Sequence, residues 1–202
     1  VDSTAMFVDV DFQASSDWVR FDELWPGESL PPSLSAVSEA DAVRQGALGD
    51  CWLLAPLIAL AHQQPDRVRA LFEACSDADL RAGRAMLRLF VDGEWRDVVI
   101  DTLLPCDDQR RPLYCGRAGA GWPALVEKAF AKLRGSYAGL EGGRSVEALV
   151  DLTGGVAQRH RAGSGGEGGD GGESGAWGGE GGGGGEAGGG PSEGLLAEMC
   201  AR

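Results

Sequence analysis

The chain has 202 residues, of which 43 % are hydrophobic, so it is long enough for one globular domain with further material attached. Its formal net charge of −13 argues against a nucleic-acid partner, because nucleic-acid binding requires Lys and Arg to neutralise phosphates. No apolar run approaches the ~20 residues of a membrane-spanning helix, so we expect no membrane span. The five cysteines form no Cys-x-x-Cys pair, which argues against zinc and a disulfide framework and predicts a reducing, cytoplasmic location.

Residues 1–44 are predicted to form an irregular N-terminal arm packed on the core. Three prolines in this region interrupt any long helix or strand. Spaced aromatic residues, such as Phe12 and Trp18, are typical of an extended segment that is anchored to a core by its rings.

The segment 45–54, Gln-Gly-Ala-Leu-Gly-Asp-Cys-Trp-Leu-Leu, leads from a loop into an apolar run that predicts a buried helix from about Asp50 to Gln63. Asp50 is predicted to be the N-cap, with a side chain that accepts a bond from the first free N–H groups. Cys51 then lies in the first turn, where the helix dipole favours the thiolate that attacks carbonyl carbons. A Gln45 side chain across the loop can donate an N–H to an oxyanion beside the sulfur. A lone cysteine on an apolar helix is more commonly a small buried hydrophobe, and the residues alone leave both interpretations open.

The next elements are predicted to be a second helix and a β-hairpin. The helix spans Pro65 to Cys75, with proline near its start. Residues 85–91 and 94–100 have a β pattern and flank Asp92-Gly93, a pair typical of a type I′ turn. We interpret this hairpin as structural, because none of its carboxylates has an evident chemical task.

Residues 102–121 are predicted to be a loop that precedes a helix over 122–133. The apolar residues of that helix recur at helical spacing, with proline in the first turn and Gly135 after the end. Further along, Gly143 follows another glycine, and a turn alone is enough to account for the pair.

The composition changes abruptly beyond residue 158. Residues 159–194 are predicted to be a flexible, acidic, Gly-rich tract, because they contain too little apolar surface to offset the entropy of ordering. Residues 195–202 predict a short helix of one or two turns. The main lobe is therefore assigned to residues 45–158.

The segment 45–54 closely resembles the active-site segment of the calpain family of papain-like cysteine proteases, whose pattern is Gln-Gly-x-Leu-Gly-Asp-Cys-Trp-Leu-Leu. The resemblance covers roughly residues 7–156 and includes the hairpin and the helix predicted over 122–133. It implies an α+β fold, namely the first lobe of the protease core, mainly helical with a small antiparallel sheet. It also implies that Cys51 is the nucleophile, that Gln45 is an oxyanion-hole donor and that Gly143 binds the substrate main chain.

In calpains the catalytic His and Asn come from a second lobe, so the resemblance implies that this chain needs such a lobe as a partner. Its own histidines do not fit as the base: His62 lies ~16 Å along the helix from Cys51, and His160 adjoins the flexible tract. The calcium site of this lobe is expected to be lost, because Ala120 stands where calpains have a Glu and Asp41 is one residue out of register. No metal or other cofactor is assigned here, whereas calcium regulation of a longer parent protein stays open.

Two functions follow from the sequence. The first is a calcium-dependent-type, calpain-like cysteine endopeptidase that performs limited proteolysis of intracellular proteins through an acyl-enzyme, with this chain inactive on its own. The alternative is a non-catalytic calpain-like interaction or regulatory module. The missing calcium ligand favours the alternative, as does Pro56, which removes one backbone bond from the helix soon after Cys51. A gene-model artefact is a third explanation of the Gly-rich tract.

Overall fold

The computed structural model describes residues 17–38, 42–116 and 120–158. The elements of this part of the chain lie in the unit that ends at Gly155. Its helices are α1 (Phe21–Leu24), α2 (Leu34–Ser38), α3 (Cys51–Gln63), α4 (Pro65–Ala70), α5 (Asp77–Arg81), α6 (Trp122–Leu133) and α7 (Ser145–Thr153), with a 3-10 turn at Ala138–Leu140. Its strands are β1 (Trp18–Arg20), β2 (Arg84–Val91), β3 (Glu94–Asp101) and β4 (Leu103–Pro105).

Strands β2 and β3 form the predicted antiparallel hairpin, in a register that places Phe90 opposite Trp95. The two turn residues, Asp92 and Gly93, have φ angles of 53° and 84°. Both angles are positive, as a type I′ turn requires, and this confirms the turn predicted from the Asp-Gly pair.

A second antiparallel pair, β1 with β4, is one that the sequence analysis missed. Val19 lies opposite Leu104, in regions that were predicted to be an irregular arm and a loop. That prediction is wrong for these residues. Strands of three residues are too short to display a period-2 pattern, so only their pairing reveals them.

The second predicted helix ends at Ala70, earlier than the predicted Cys75. The chain continues through turns in which the N–H groups of Leu71 and Phe72 bond the carbonyls of Val68 and Arg69. These tighter i→i−3 bonds replace the α-helical pattern in the last part of the segment.

Helix α6 is the centre of the fold. Residues 122–131 are all buried, so the helix is covered on every side rather than along one stripe. Two of these ten residues, Glu127 and Lys128, are charged. The Lys128 ammonium binds the buried Asp101 carboxylate and the Leu103 carbonyl, which connects α6 to β3 and β4.

Helix α3 packs against α4 and α7, and α7 also packs on β2. Fully buried leucines of α3, Leu53 and Leu57, contribute to this core, and each such side chain stabilises the fold by roughly 1.5–3 kcal/mol. The arrangement of helices with small antiparallel sheets confirms the predicted α+β class. Within the described ranges, no helix is both long and apolar enough to cross a membrane.

The predictions for the Gly-rich tract, 159–194, and for the terminal helix, 195–202, lie outside the described residues. The same holds for most of the N-terminal arm before residue 17.

Candidate active site

Cys51 is the first residue of α3 and is exposed, whereas Cys75, Cys106 and Cys115 are buried. The prediction that it lies in the first helical turn is confirmed, and the alternative of a small buried hydrophobe is wrong. Burial raises the pKa of each of the three buried thiols. Among the cysteines that the structure describes, Cys51 is therefore the one available for nucleophilic chemistry.

One face of α3 is open along its length. Ala55, Ile58 and His62 are exposed and follow Cys51 at intervals of four, three and four residues, which places all four on one helical face. His62 lies at the opposite end of the helix from the thiol, ~16 Å away along the axis. It is therefore excluded as the base, while His160 lies outside the described residues.

The loop before α3 is fixed by two neighbouring loops. The Ala47 N–H donates to the Leu113 carbonyl at 3.2 Å, and the Gly142 N–H donates to the Gly49 carbonyl at 3.2 Å. Gly46 lies so close to the Tyr114 backbone that any Cβ there would overlap the Tyr114 carbonyl. The glycine at position 46 is therefore required by a close approach of two backbones.

The Gln45 side chain is exposed, and its amide donates one N–H to the Leu48 carbonyl at 2.6 Å. A Gln amide has two N–H donors, so a second donor remains for another acceptor. The internal bond orients the side chain within the loop that leads to Cys51.

Gly143 packs directly on the indole ring of Trp52, the residue after Cys51. A Cβ at position 143 would lie 2.4 Å from a ring carbon of Trp52. The Trp52 ring is held by a 2.8 Å bond from its Nε1 to the Leu140 carbonyl and by an edge contact with Phe130 of α6. The structure thus places the exposed Gly143 backbone beside the residue that follows the thiol.

Asp50 occupies the N-cap position, since its carbonyl accepts the N–H groups of Leu53 and Leu54 at 2.8 and 3.1 Å. The prediction that its side chain caps the helix is wrong, because that side chain makes no cap bond. It is turned inwards and completely buried, with its carboxyl group facing that of Glu127 in α6.

Glu127 is a residue whose role sequence reasoning missed. Burial raises the pKa of its carboxyl well above the usual range, and the neighbouring Asp50 raises it further. The signal available in the sequence was a Glu within an apolar helix, but Glu is also common on solvated helix faces. Only the burial of α6 on every side reveals that this Glu lies in the core beside Asp50, the residue before Cys51.

Neither the calcium-site nor the cofactor prediction is tested by the arrangement of side chains. Among the described residues, no group of three or more His, Cys, Asp or Glu residues is arranged to hold a metal ion. Ala120, at the position where a calcium ligand was considered, is buried, and Asp41 lies outside the described residues.

Comparison with known proteins gives one consistent family. A family model described as calpain family cysteine protease matches residues 2–167. Calpain-9 of Homo sapiens is 38 % identical over 164 residues, which are 76 % of this chain and 24 % of the human protein. The calpain-1 catalytic subunit of Mus musculus is 44 % identical over 115 residues, 56 % of this chain and 16 % of the mouse protein. The calpain-type cysteine protease DEK1 of Arabidopsis thaliana is 35 % identical over 165 residues, 76 % of this chain and 7 % of the plant protein.

Proposed function

This chain belongs to the calpain family of cysteine proteases, and we propose that it is the nucleophile-bearing lobe of a calpain-like endopeptidase. The observation that carries the proposal is the exposed Cys51 thiol at the start of a buried helix, with Gln45 and Gly143 on loops fixed around it. The chain spans about a quarter of the length of the calpain-9 proteins that it matches. The activity of a longer protein is therefore part of the proposal.

In the proposed reaction the Cys51 thiolate attacks the carbonyl carbon of a peptide bond in a protein substrate. The carbonyl oxygen becomes an oxyanion, and the Gln45 amide and the Cys51 backbone N–H donate hydrogen bonds to it. The Gly143 backbone bonds the substrate main chain and aligns the scissile bond. As the carbon–nitrogen bond breaks, a protonated base gives its proton to the departing amine, and water then hydrolyses the thioester.

The base and the group that orients it are proposed to come from a second lobe that carries His and Asn. The open face of α3 supports this proposal, because Ala55 and Ile58 present an apolar surface beside Cys51. His62, the histidine within the described residues, is too distant to act as the base. By analogy with the family, we expect the substrates to be cytoplasmic proteins that undergo limited proteolysis. Calcium regulation is proposed for a longer parent protein on the same basis.

The test is cleavage of a fluorogenic peptide by this chain joined to the second catalytic lobe of a calpain relative. We expect cleavage that Cys51→Ala abolishes and that Cys75→Ala, the control at a buried thiol, leaves within about twofold. The isolated chain should be labelled slowly by a thiol-directed peptide inhibitor. Rapid labelling of the isolated chain at Cys51 would contradict the need for a second lobe.

A non-catalytic interaction or regulatory module is the second candidate. Ala120 favours it, since a residue without ligand atoms stands at the considered calcium position. Pro56 supports it less than expected, because α3 runs without interruption from Cys51 to Gln63 and buries that proline. The reading frame that follows Arg202 separates the candidates: a lobe with His and Asn favours the protease, and a stop codon favours the module.

A further inference from the structure

Two acidic side chains lie buried together beneath the nucleophile and have no task in the proposed reaction. Asp50 is 0 % exposed and Glu127 is 1 % exposed. Among the described residues, no N–H or hydroxyl group donates to either oxygen of Asp50, although both oxygens are shielded from solvent, and the side chain that interacts with them is that of Glu127. Two ionised carboxylates contain only acceptors and repel each other, so direct contact requires a proton on one of them.

Among the residues that the structure describes, no cation near the pair could replace this proton. The groups that face the pair are the Cys115 N–H, which donates to both Glu127 oxygens at 3.1 and 3.2 Å, the Cys115 thiol and the Tyr137 hydroxyl. Within the described residues, no Lys or Arg contributes to the pKa shift of Asp50 or Glu127. Lys128, the next residue of α6, binds Asp101 instead.

The proton belongs to the pair of carboxyl groups rather than to one residue. Burial raises the pKa of both groups, so each of them favours its protonated form. One carboxyl group can then donate to the other, while the Glu127 oxygens also accept from the Cys115 N–H. A bond to an ionised acceptor in a dry site is stronger than one between neutral groups.

We propose that Asp50 and Glu127 share one proton, and that this proton joins the start of α3 to the centre of α6 and so positions Cys51. Asp50 is covalently attached to Cys51, and its carbonyl accepts the first two N–H bonds of the helix. Glu127 is thus a positioning residue that acts through Asp50. This inference rests on the proposed function in one respect, the role of Cys51 as the residue that is positioned.

The shared proton makes the free energy of unfolding depend on pH, with stability lost as pH rises. Both carboxyl groups have folded-state pKa values raised above their ordinary values of 3.8 and 4.5. The stability that the shared proton contributes is therefore fully present below those values and is lost as pH rises through the raised folded-state pKa of the pair.

The experiment compares the full 202-residue chain with its Glu127→Gln and Glu127→Leu variants. Glu73→Gln, the same change at an exposed position, is the control. Three properties are measured: the infrared band of a protonated carboxyl group at pH 7, the free energy of unfolding against pH, and the rate at which iodoacetamide alkylates Cys51. None of them requires peptide cleavage, so a failure of the proposed protease function does not affect them.

We expect the protonated-carboxyl band in the unchanged chain and in the control, and its loss in Glu127→Gln. A Gln amide donates to Asp50 without titrating, so Glu127→Gln should remove the loss of stability at rising pH and keep the alkylation rate within about twofold. Glu127→Leu can neither donate to Asp50 nor accept from it, so the start of α3 loses its connection to α6 and the alkylation rate of Cys51 should change about tenfold. The proposal is overturned if the band is absent, if Glu127→Gln keeps the pH dependence of the unchanged chain, or if the Gln and Leu variants alkylate at equal rates.

Discussion

Adjacent residues of α6, Glu127 and Lys128, are both buried, yet they compensate buried acids in opposite ways. Lys128 forms an ion pair with Asp101 on the side of the helix that supports the strands. Glu127 interacts with Asp50, the residue before Cys51, and the proposed compensation there is a proton. One helix therefore holds the strands through an ion pair and, as proposed, holds the loop before Cys51 through a shared proton.

Lys128→Met removes the ion pair between α6 and β3 and has the largest expected effect on the free energy of unfolding. Methionine keeps the length of the side chain but removes the positive charge that pairs with the buried Asp101 carboxylate, which should cost about 3–5 kcal/mol in the free energy of unfolding. Urea unfolding measures the loss. Lys132→Met is the matched control, because Lys132 is only half-buried and its bond to the Val99 carbonyl is worth about 1 kcal/mol. Equal losses in the two variants would contradict a dominant role for the Asp101–Lys128 pair.

Gly143→Ala tests the packing beside Cys51, on the other side of this comparison. The new Cβ would lie 2.4 Å from the Trp52 ring, which Phe130 and the Leu140 carbonyl hold in place. Overpacking of this kind costs about 1–3 kcal/mol, and the displacement should also alter the alkylation rate of Cys51.

Gly49→Ala is the control for this steric effect, since a Cβ at position 49 meets only the Glu141 side chain, at 4.0 Å. Differential scanning calorimetry of the two variants separates the outcomes. If Gly49→Ala lowers the melting temperature as much as Gly143→Ala, the close packing of Gly143 on Trp52 is not the cause.

Asp79→Asn tests an acid that is compensated near the surface rather than in the core. Bonds from Ser76 and Arg84 lower the pKa of Asp79 to about 2. This depressed pKa means that the stability is present above 3.8, the ordinary value, and is lost as pH falls through about 2. The variant should lose about 0.5–2 kcal/mol at neutral pH, as expected for a capping box, and the difference should shrink in acid. Unfolding followed by circular dichroism at several pH values detects this convergence, and a constant difference would contradict it.

Glu23→Gln is expected to have the smallest effect. Glu23 and Arg110 form an ion pair in which the side chains are 53 % and 66 % exposed. Solvent screens such a pair, so the free energy of unfolding should change by less than about 0.5 kcal/mol. Urea unfolding measures this change. A larger change in the free energy of unfolding would show that solvent exposure does not explain why some ion pairs of this chain are weak and others strong.

Local signals in the sequence predicted much of the fold. The Asp92-Gly93 turn, the start of α3 at Cys51 and the extent of α6 depend on backbone preferences and periodicity within one element, and all three agree with the structure. The pairing of β1 with β4 was missed, because it joins residues more than eighty positions apart along the chain. The family assignment came from a ten-residue segment and agrees with the comparisons. The catalytic roles of Cys51, Gln45 and Gly143 stay predictions.

The sequence by itself determined where the nucleophile candidate lies, because helix periodicity and the order of Gln45, Asp50 and Cys51 are local properties of the chain. Only the tertiary structure decided what the neighbouring side chains do. Asp50 turns away from its predicted cap because α6 brings Glu127 to it from a distant part of the sequence. Burial excludes water from both carboxyl groups, and desolvation then makes a shared proton more favourable than two separate charges.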